Sequence, residues 1–188
     1  MKNIIKQSIK ESIETKQEIG ESLVLNIEKA AITIIDALKK GNKIMIAGNG
    51  GSAAQASHFS AELVGRYLLE RKGIAAISLN SDTSIITAWT NDYEFDTVFS
   101  RQIESLGRQG DVFVGLTTSG NSENILNAIK QSKSQEIQTI TLLGKDGGKI
   151  KSHADVEIIV PSNSTPRIQE GHILIIHILC HLVEEAMQ

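Results

Sequence analysis

The chain has 188 residues, 40% of them hydrophobic, and a net charge of −3. That length and apolar content suffice for one full core, so residues 1–188 are predicted to form a single domain. The weak negative charge argues against electrostatic capture by nucleic acid or an anionic membrane surface.

No apolar run approaches the ~20 residues of a membrane span. The opening Met1-Lys2-Asn3-Ile4-Ile5-Lys6 lacks the apolar core and cleavage site of a signal peptide, so a cytoplasmic protein is expected. Residues 2–40 read as two helices without a strand, the second with an apolar stripe at Leu23, Ile27, Ala30, Ala31, Ile34, Ile35 and Leu38. Lys39-Lys40-Gly41-Asn42 ends it. With no strand of their own to cover, these helices are expected to pack against another subunit. The remainder, 41–188, alternates: strand 43–47, helix 52–70, strand 74–79, helical segments 82–90 and 94–107, strand 111–116, helix 122–133, strand 137–143, a glycine-rich connection, strand 155–160 and helix 166–187. Such alternation predicts an α/β fold, a parallel sheet covered on both faces with ligands at the C-terminal strand ends. Cys180, the single cysteine, lies in an apolar helical run and is read as a core residue.

Two loops carry the chemistry. In Ala47-Gly48-Asn49-Gly50-Gly51-Ser52 an apolar strand meets glycines and a serine and then a helix, which lets backbone N–H groups crowd an anion at the positive end of the helix dipole. No lysine closes the loop, so it matches neither the Walker pattern nor the dinucleotide fingerprint. The second loop, Gly115-Leu116-Thr117-Thr118-Ser119-Gly120-Asn121-Ser122-Glu123-Asn124, follows another buried strand and places the hydroxyls of Thr117, Thr118, Ser119 and Ser122 at a helix start. Ordinary N-capping accounts for one or two of these hydroxyls, and phosphate binding accounts for all four.

Further along the first loop's helix, His58 and Glu62 are spaced i, i+4 and project from one face, about 6 Å apart along the axis. Gln169, His172, His177 and His181 fall on the last helix, which Thr165 is expected to cap ahead of Pro166. His177 and His181 share the i, i+4 spacing, so the two helices together could assemble a divalent-metal site, with zinc the natural guess for imidazole plus carboxylate. A partly buried imidazole bonded to backbone is the plainer fate of each histidine.

The motifs at 47–52, His58 to Glu62, Gly65-Arg66-Tyr67, Asn91-Asp92, Thr118-Ser119-Gly120-Asn121-Ser122, Gly144-Lys145-Asp146-Gly147-Gly148 and Arg167-Ile168-Gln169-Glu170 resemble the phosphoheptose isomerase family of sugar-isomerase (SIS) domains, over about residues 40–188. The resemblance implies a three-layer α/β/α fold with a five-stranded parallel sheet of flavodoxin type, preceded by the N-terminal helices. It also implies a homotetramer with active sites at subunit interfaces, one Zn2+ per subunit, and conversion of sedoheptulose 7-phosphate to D-glycero-D-manno-heptose 7-phosphate for lipopolysaccharide or capsule heptose. Carried over by motif, His58, Glu62, Gln169 and His177 would bind zinc. Asn49, Gly50, Gly51, Ser52, Glu62, Asn91, Asp92, Thr117, Thr118, Ser119, Ser122 and Gln169 would contact the sugar phosphate.

A ketose-to-aldose conversion needs a base for the C1 proton, charge stabilisation for the enediolate and an acid at C2. Glu62 is the candidate base and His177 the candidate acid. Gln169 and His177 are eight residues apart, a rise of about 12 Å, whereas ligands of one zinc lie within roughly 4 Å of each other. At least one ligand is therefore expected from a neighbouring chain. Against the family pattern, Thr117 stands where serine is common, and Pro166 replaces an acidic residue found in some relatives. The alternatives are a non-catalytic SIS regulator of the replication-initiator-associating kind, which lacks the metal and base residues, and an isomerase or sensor of another phosphosugar. Glu62 and His177 discriminate against the regulator.

Overall fold

Strand and helix alternate through the computed structural model, which describes residues 1–188. The order is α1 (Lys2–Ser22), α2 (Val24–Lys39), β1 (Ile44–Gly48), α3 (Gly51–Val64), β2 (Ala76–Ser78), α4 (Thr83–Asp92), α5 (Val98–Leu106), β3 (Val112–Thr117), α6 (Glu123–Ser134), β4 (Gln138–Gly144), β5 (Val156–Val160) and α7 (Thr165–Ala186), with 3-10 turns at Phe95–Thr97 and Gly148–Ile150. All five strands are parallel, in the order β2-β1-β3-β4-β5. This is the flavodoxin-type order, and its direction reverses between β1 and β3, where ligands of open α/β sheets bind. Thr165 is inside α7 and Ser164 is the N-cap, without a side-chain capping bond. No helix is long and apolar enough to cross a membrane.

Alternate residues of the strands feed two cores. Ile44, Ile46, Val112, Val114 and Leu116 face α2, α3 and α7 through Ile34, Phe59, Leu63, Ile175 and Leu179. Met45, Ala47 and Phe113 face α5 and α6 through Phe99, Ile103, Ile125 and Ile129. Both faces of the central strands are therefore buried, as parallel sheets require.

Two expectations change here. The stripe on α2 is covered within the chain: Ile27, Ala30, Ala31, Ile34 and Leu38 belong to the same core as α7 and the sheet. Outward apolar residues lie mainly on α1, where Ile4, Ile5, Ile9 and Ile13 are each more than half exposed, with Val24, Leu25 and Ile32 of α2 also turned outward. Helix α3 also stops at Val64 rather than near residue 70. Beyond it, the backbone N–H groups of Tyr67, Leu68 and Leu69 bond to the Glu184 carboxylate from α7, and the Arg71 guanidinium takes the carbonyls of Glu62, Leu63 and Gly65. Those groups would otherwise continue the helical ladder. Glu184 is 113 positions from Arg71 along the chain (184 − 71), too far for a local pattern to register it.

Cys180 is fully buried, and burial pushes its thiol up to about 12, so it is a packed, protonated core residue. His172 is also fully buried on α7, where its Nε2 lies 2.9 Å from the Leu143 carbonyl and donates to it. Its Nδ1 has no hydrogen-bond partner. Burial lowers its pKa from 6.5 to about 4, so the folded protein holds the ring neutral where the unfolded chain would already have protonated it. Between these values the unfolded state binds the extra proton, and stability falls as pH drops through about 6.5 to about 4. The loss approaches roughly 3 kcal/mol at about 1.4 kcal/mol per unit. Unfolding titrations from pH 7 to pH 4 should show this part of the slope in the native chain and not in His172→Leu.

Candidate active site

Each loop turns for a reason visible in its residues. At the end of β1, Gly50 has φ +56°, a left-handed conformation that glycine reaches without strain, and it caps α3 in place of a side chain. The end of β1 is held from the side by Asn80, whose amide accepts from the Gly48 N–H at 3.1 Å and donates to the Gly48 carbonyl at 2.9 Å, as a neighbouring strand would. At the end of β3, Gly120 has φ +68°, and a Cβ there would collide with the Gly147 carbonyl. The segment 144–150 is therefore packed against the second loop, and the bonds Ile150 N to Gly120 O (2.9 Å) and Lys149 N to Asn121 Oδ1 (3.0 Å) lock it there.

The hydroxyls of the second loop converge. Thr117 Oγ1 lies 2.9 Å from Ser122 Oγ and 3.5 Å from Ser119 Oγ. Ser122 is the N-cap residue of α6, yet its side chain makes no capping bond. Simple N-capping thus fails to account for this cluster, and the helix start keeps its dipole for an anion. Thr118 is half-buried beside it.

Asn124 ties the two loops together. It is buried on the first turn of α6 and exchanges two 2.9 Å amide bonds with Asn49 of the first loop. Sequence reasoning assigned Asn124 no role within the second loop and left Asn80 unnoticed, because partners 75 and 32 positions away leave no local signature. Asn91 and Asp92 lie exposed at the end of α4 and bond to each other (2.8 Å), with no hydrogen bond to either loop.

Two turns along α3, His58 Nε2 lies 2.9 Å from Glu62 Oε1. Across the α3–α7 seam, the His177 ring meets the His58 ring edge-on with centroids 5.2 Å apart. One donor atom from each of His58, Glu62 and His177 falls within 4.8 Å of the others. Two imidazoles and a carboxylate at that spacing match the donor set of an open three-ligand zinc site, so these residues fit a divalent metal. Donor atoms of His58, Glu62 and His177 come together within one chain because α3 and α7 run side by side. His181, one turn further along α7, is left outside this cluster, exposed and 3.8 Å from Glu185.

Gln169 stands between loop and metal cluster. Its carbonyl accepts a 2.7 Å bond from Gln55 Nε2, and its side-chain amide packs against Gly51, where a Cβ would have no room. It lines a cleft of about 410 Å³ with Ala54, Gln55, His58, Pro166 and Glu170. From Gly51 to His58 the helix rises about 10 Å, a length comparable to a seven-carbon sugar phosphate with its phosphate at one end and the reacting carbons at the other.

Comparison with known proteins agrees with this geometry. The SIS domain family model matches residues 7–144. The phosphoheptose isomerase of Citrifermentans bemidjiense is 54% identical over 183 residues, covering 97% of this chain and 95% of that protein. The solved phosphoheptose isomerase of Neisseria gonorrhoeae superposes with a TM-score of 0.92 at 44% identity, covering 98% of each chain. That of Francisella tularensis superposes with a TM-score of 0.95 at 36% identity, covering 97% of each. The chain belongs to the phosphoheptose isomerase family of SIS domains. The regulator and other-phosphosugar alternatives find no support among these relatives.

Replacing Asn124 by leucine should leave the Asn49 amide without its partner and cost about 1–3 kcal/mol of stability. It should raise KM for the sugar phosphate more than it lowers kcat. Urea unfolding and steady-state kinetics on the same preparation check both effects.

Proposed function

We propose that this protein is an aldose–ketose isomerase that converts sedoheptulose 7-phosphate to D-glycero-D-manno-heptose 7-phosphate through an enediolate. The observation that carries the reading is the pairing, on one helix, of an anion-ready glycine loop with a histidine–carboxylate cluster two turns away. Relatives covering nearly the whole chain and named phosphoheptose isomerase support the substrate class.

The phosphate is assigned to Asn49, Gly50, Gly51 and Ser52 of the first loop and to Thr117, Thr118, Ser119 and Ser122 of the second. These groups offer hydroxyls, amides and two helix N-termini and bring no metal or lysine to the phosphate. Gln169, beside Gly51, orients the sugar.

Glu62 takes the proton from C1. One of its oxygens is held by His58 at 2.9 Å, which leaves the second for proton transfer. His177, from across the seam, returns a proton at C2. Zinc held by His58, Glu62 and His177, when bound, would polarise the substrate oxygens and lower the cost of the enediolate. An imidazole with one nitrogen on a metal keeps an N–H on the other, so holding the ion and donating a proton are compatible roles for His177. Gln169 is the fourth candidate ligand, and taking that role requires its amide to turn away from Gly51.

The working form is proposed to be a cytoplasmic homotetramer of single-domain chains with sites at subunit interfaces, feeding heptose to lipopolysaccharide or capsule. Asn91 and Asp92 support the interface: they sit on α4, which buries none of its own residues, and hydrogen-bond to each other rather than to either loop of their own chain. The exposed isoleucines of α1 supply a further apolar face.

Glu62→Gln should lower kcat at least ~10²-fold with KM little changed, the size expected for a lost general base. Near-native turnover of sedoheptulose 7-phosphate would remove Glu62 from the mechanism, and equal turnover of fructose 6-phosphate would remove the substrate assignment. Ser119→Ala combined with Ser122→Ala should act mainly on KM, because these hydroxyls touch a part of the substrate that does not react. Kinetics on the double variant with an unchanged KM would sink the second-loop assignment.

A further inference from the structure

Arg71 and Glu184 form an ion pair that the proposed chemistry does not use. Their side chains are 5% and 0% exposed, and Arg71 Nε lies 3.0 Å from Glu184 Oε1. Both partners bond further to the end of α3 and the segment that follows it. Arg71 Nη2 donates to the carbonyl of Glu62 itself at 2.8 Å, and Nη1 donates to Leu63 O (2.9 Å), Gly65 O (3.2 Å) and Lys72 O (3.0 Å). Glu184 Oε1 accepts from Tyr67 N (3.0 Å), and Oε2 accepts from Leu68 N (2.7 Å) and Leu69 N (2.9 Å). These backbone bonds hold the Glu184 carboxyl below its ordinary range although burial pulls it the other way.

A buried pair of this kind could serve stability alone. Its location says more. Glu184 is seven residues beyond His177, two turns along the same face of α7. The turn that it grips carries Tyr67, whose ring stacks on the His177 ring with centroids 5.6 Å apart and planes 29° from parallel. The same ion pair therefore holds the backbone of Glu62 through Arg71 and the ring plane of His177 through Tyr67. Arg71 follows α3, Glu184 is on α7, and their contact closes the seam that brings two α3 donors to one α7 donor.

We propose that Arg71, Glu184 and Tyr67 are positioning residues for the metal cluster: the ion pair anchors the 65–71 turn, and the turn presses Tyr67 against His177 so that its imidazole faces His58 and Glu62. The inference rests on the reading of His58, Glu62 and His177 as a metal site. Outer residues that orient ligands typically contribute about 10- to 100-fold in metal affinity.

The test is a zinc titration of metal-free protein against a chromophoric chelator, with circular dichroism confirming that each variant is folded, alongside KM and kcat for sedoheptulose 7-phosphate. Tyr67→Ala and Glu184→Gln should each bind zinc at least about tenfold more weakly and lose kcat, with KM within about twofold, because the phosphate loops are untouched. Tyr67→Phe keeps the stacked ring and should bind zinc within about threefold of the native chain. If Glu184→Gln does not fold, Arg71→Lys, which keeps the charge and gives up the forked bonds to α3, is judged by the same criterion. Zinc affinity within threefold of native in folded Tyr67→Ala, or in the folded ion-pair variant, overturns the proposal. A native chain that binds no zinc overturns instead the metal-site reading beneath it.

Discussion

The parallel pairing of β1 with β3 is the constraint on which the site depends. In register, Ala47 lies opposite Gly115 and Gly48 opposite Leu116, so the two strands end side by side at the reversal of strand order. Both loops must then leave the sheet at one edge of one crevice, each turning into a helix whose N-terminus faces the same space. The glycine turn and the hydroxyl cluster lie far apart in sequence, and this ladder brings them to one crevice. The Asn49–Asn124 amide pair then holds them to a fixed separation.

The second half of the site obeys a different rule. Metal-type donors come from α3 and α7, which pack on the same face of the sheet as α2 and present Phe59, Leu63, Ile175 and Leu179 to its strands. The apolar sides of these helices set their separation, and the sides facing each other are free to carry His58, Glu62 and His177. Charge in that seam is confined to groups with partners. Glu62 meets His58, and Glu184 meets Arg71 and three backbone N–H groups. Leaving one member of a buried ion pair unpaired costs about 3–5 kcal/mol, so the lower seam tolerates little change. One end of the cleft is built from backbone and hydroxyls, whereas the other carries titratable side chains on two rigid helices. The proposed function thus assigns binding and chemistry to separate parts of one element, α3, its N-terminus for the first and its middle for the second.

Local patterns were enough for the strand–helix alternation, for the two loops, and for the i, i+4 relation of His58 and Glu62, because each depends on residues within a few positions of one another. The buried runs Ile44–Gly48 and Val112–Thr117 and the glycines after the first of them declare strand ends without reference to the rest of the chain. Local spacing alone did not separate His177 from His181: the family resemblance named His177, and the physical ground for it, the contact with α3, appears only in the tertiary structure. The early stop of α3 at Val64, the covering of the α2 stripe and the Asn49–Asn124 pair were decided by tertiary structure for the same reason. Each joins groups tens of residues apart or more, and the free energy of such a contact appears only once the sheet has set which helices share a face.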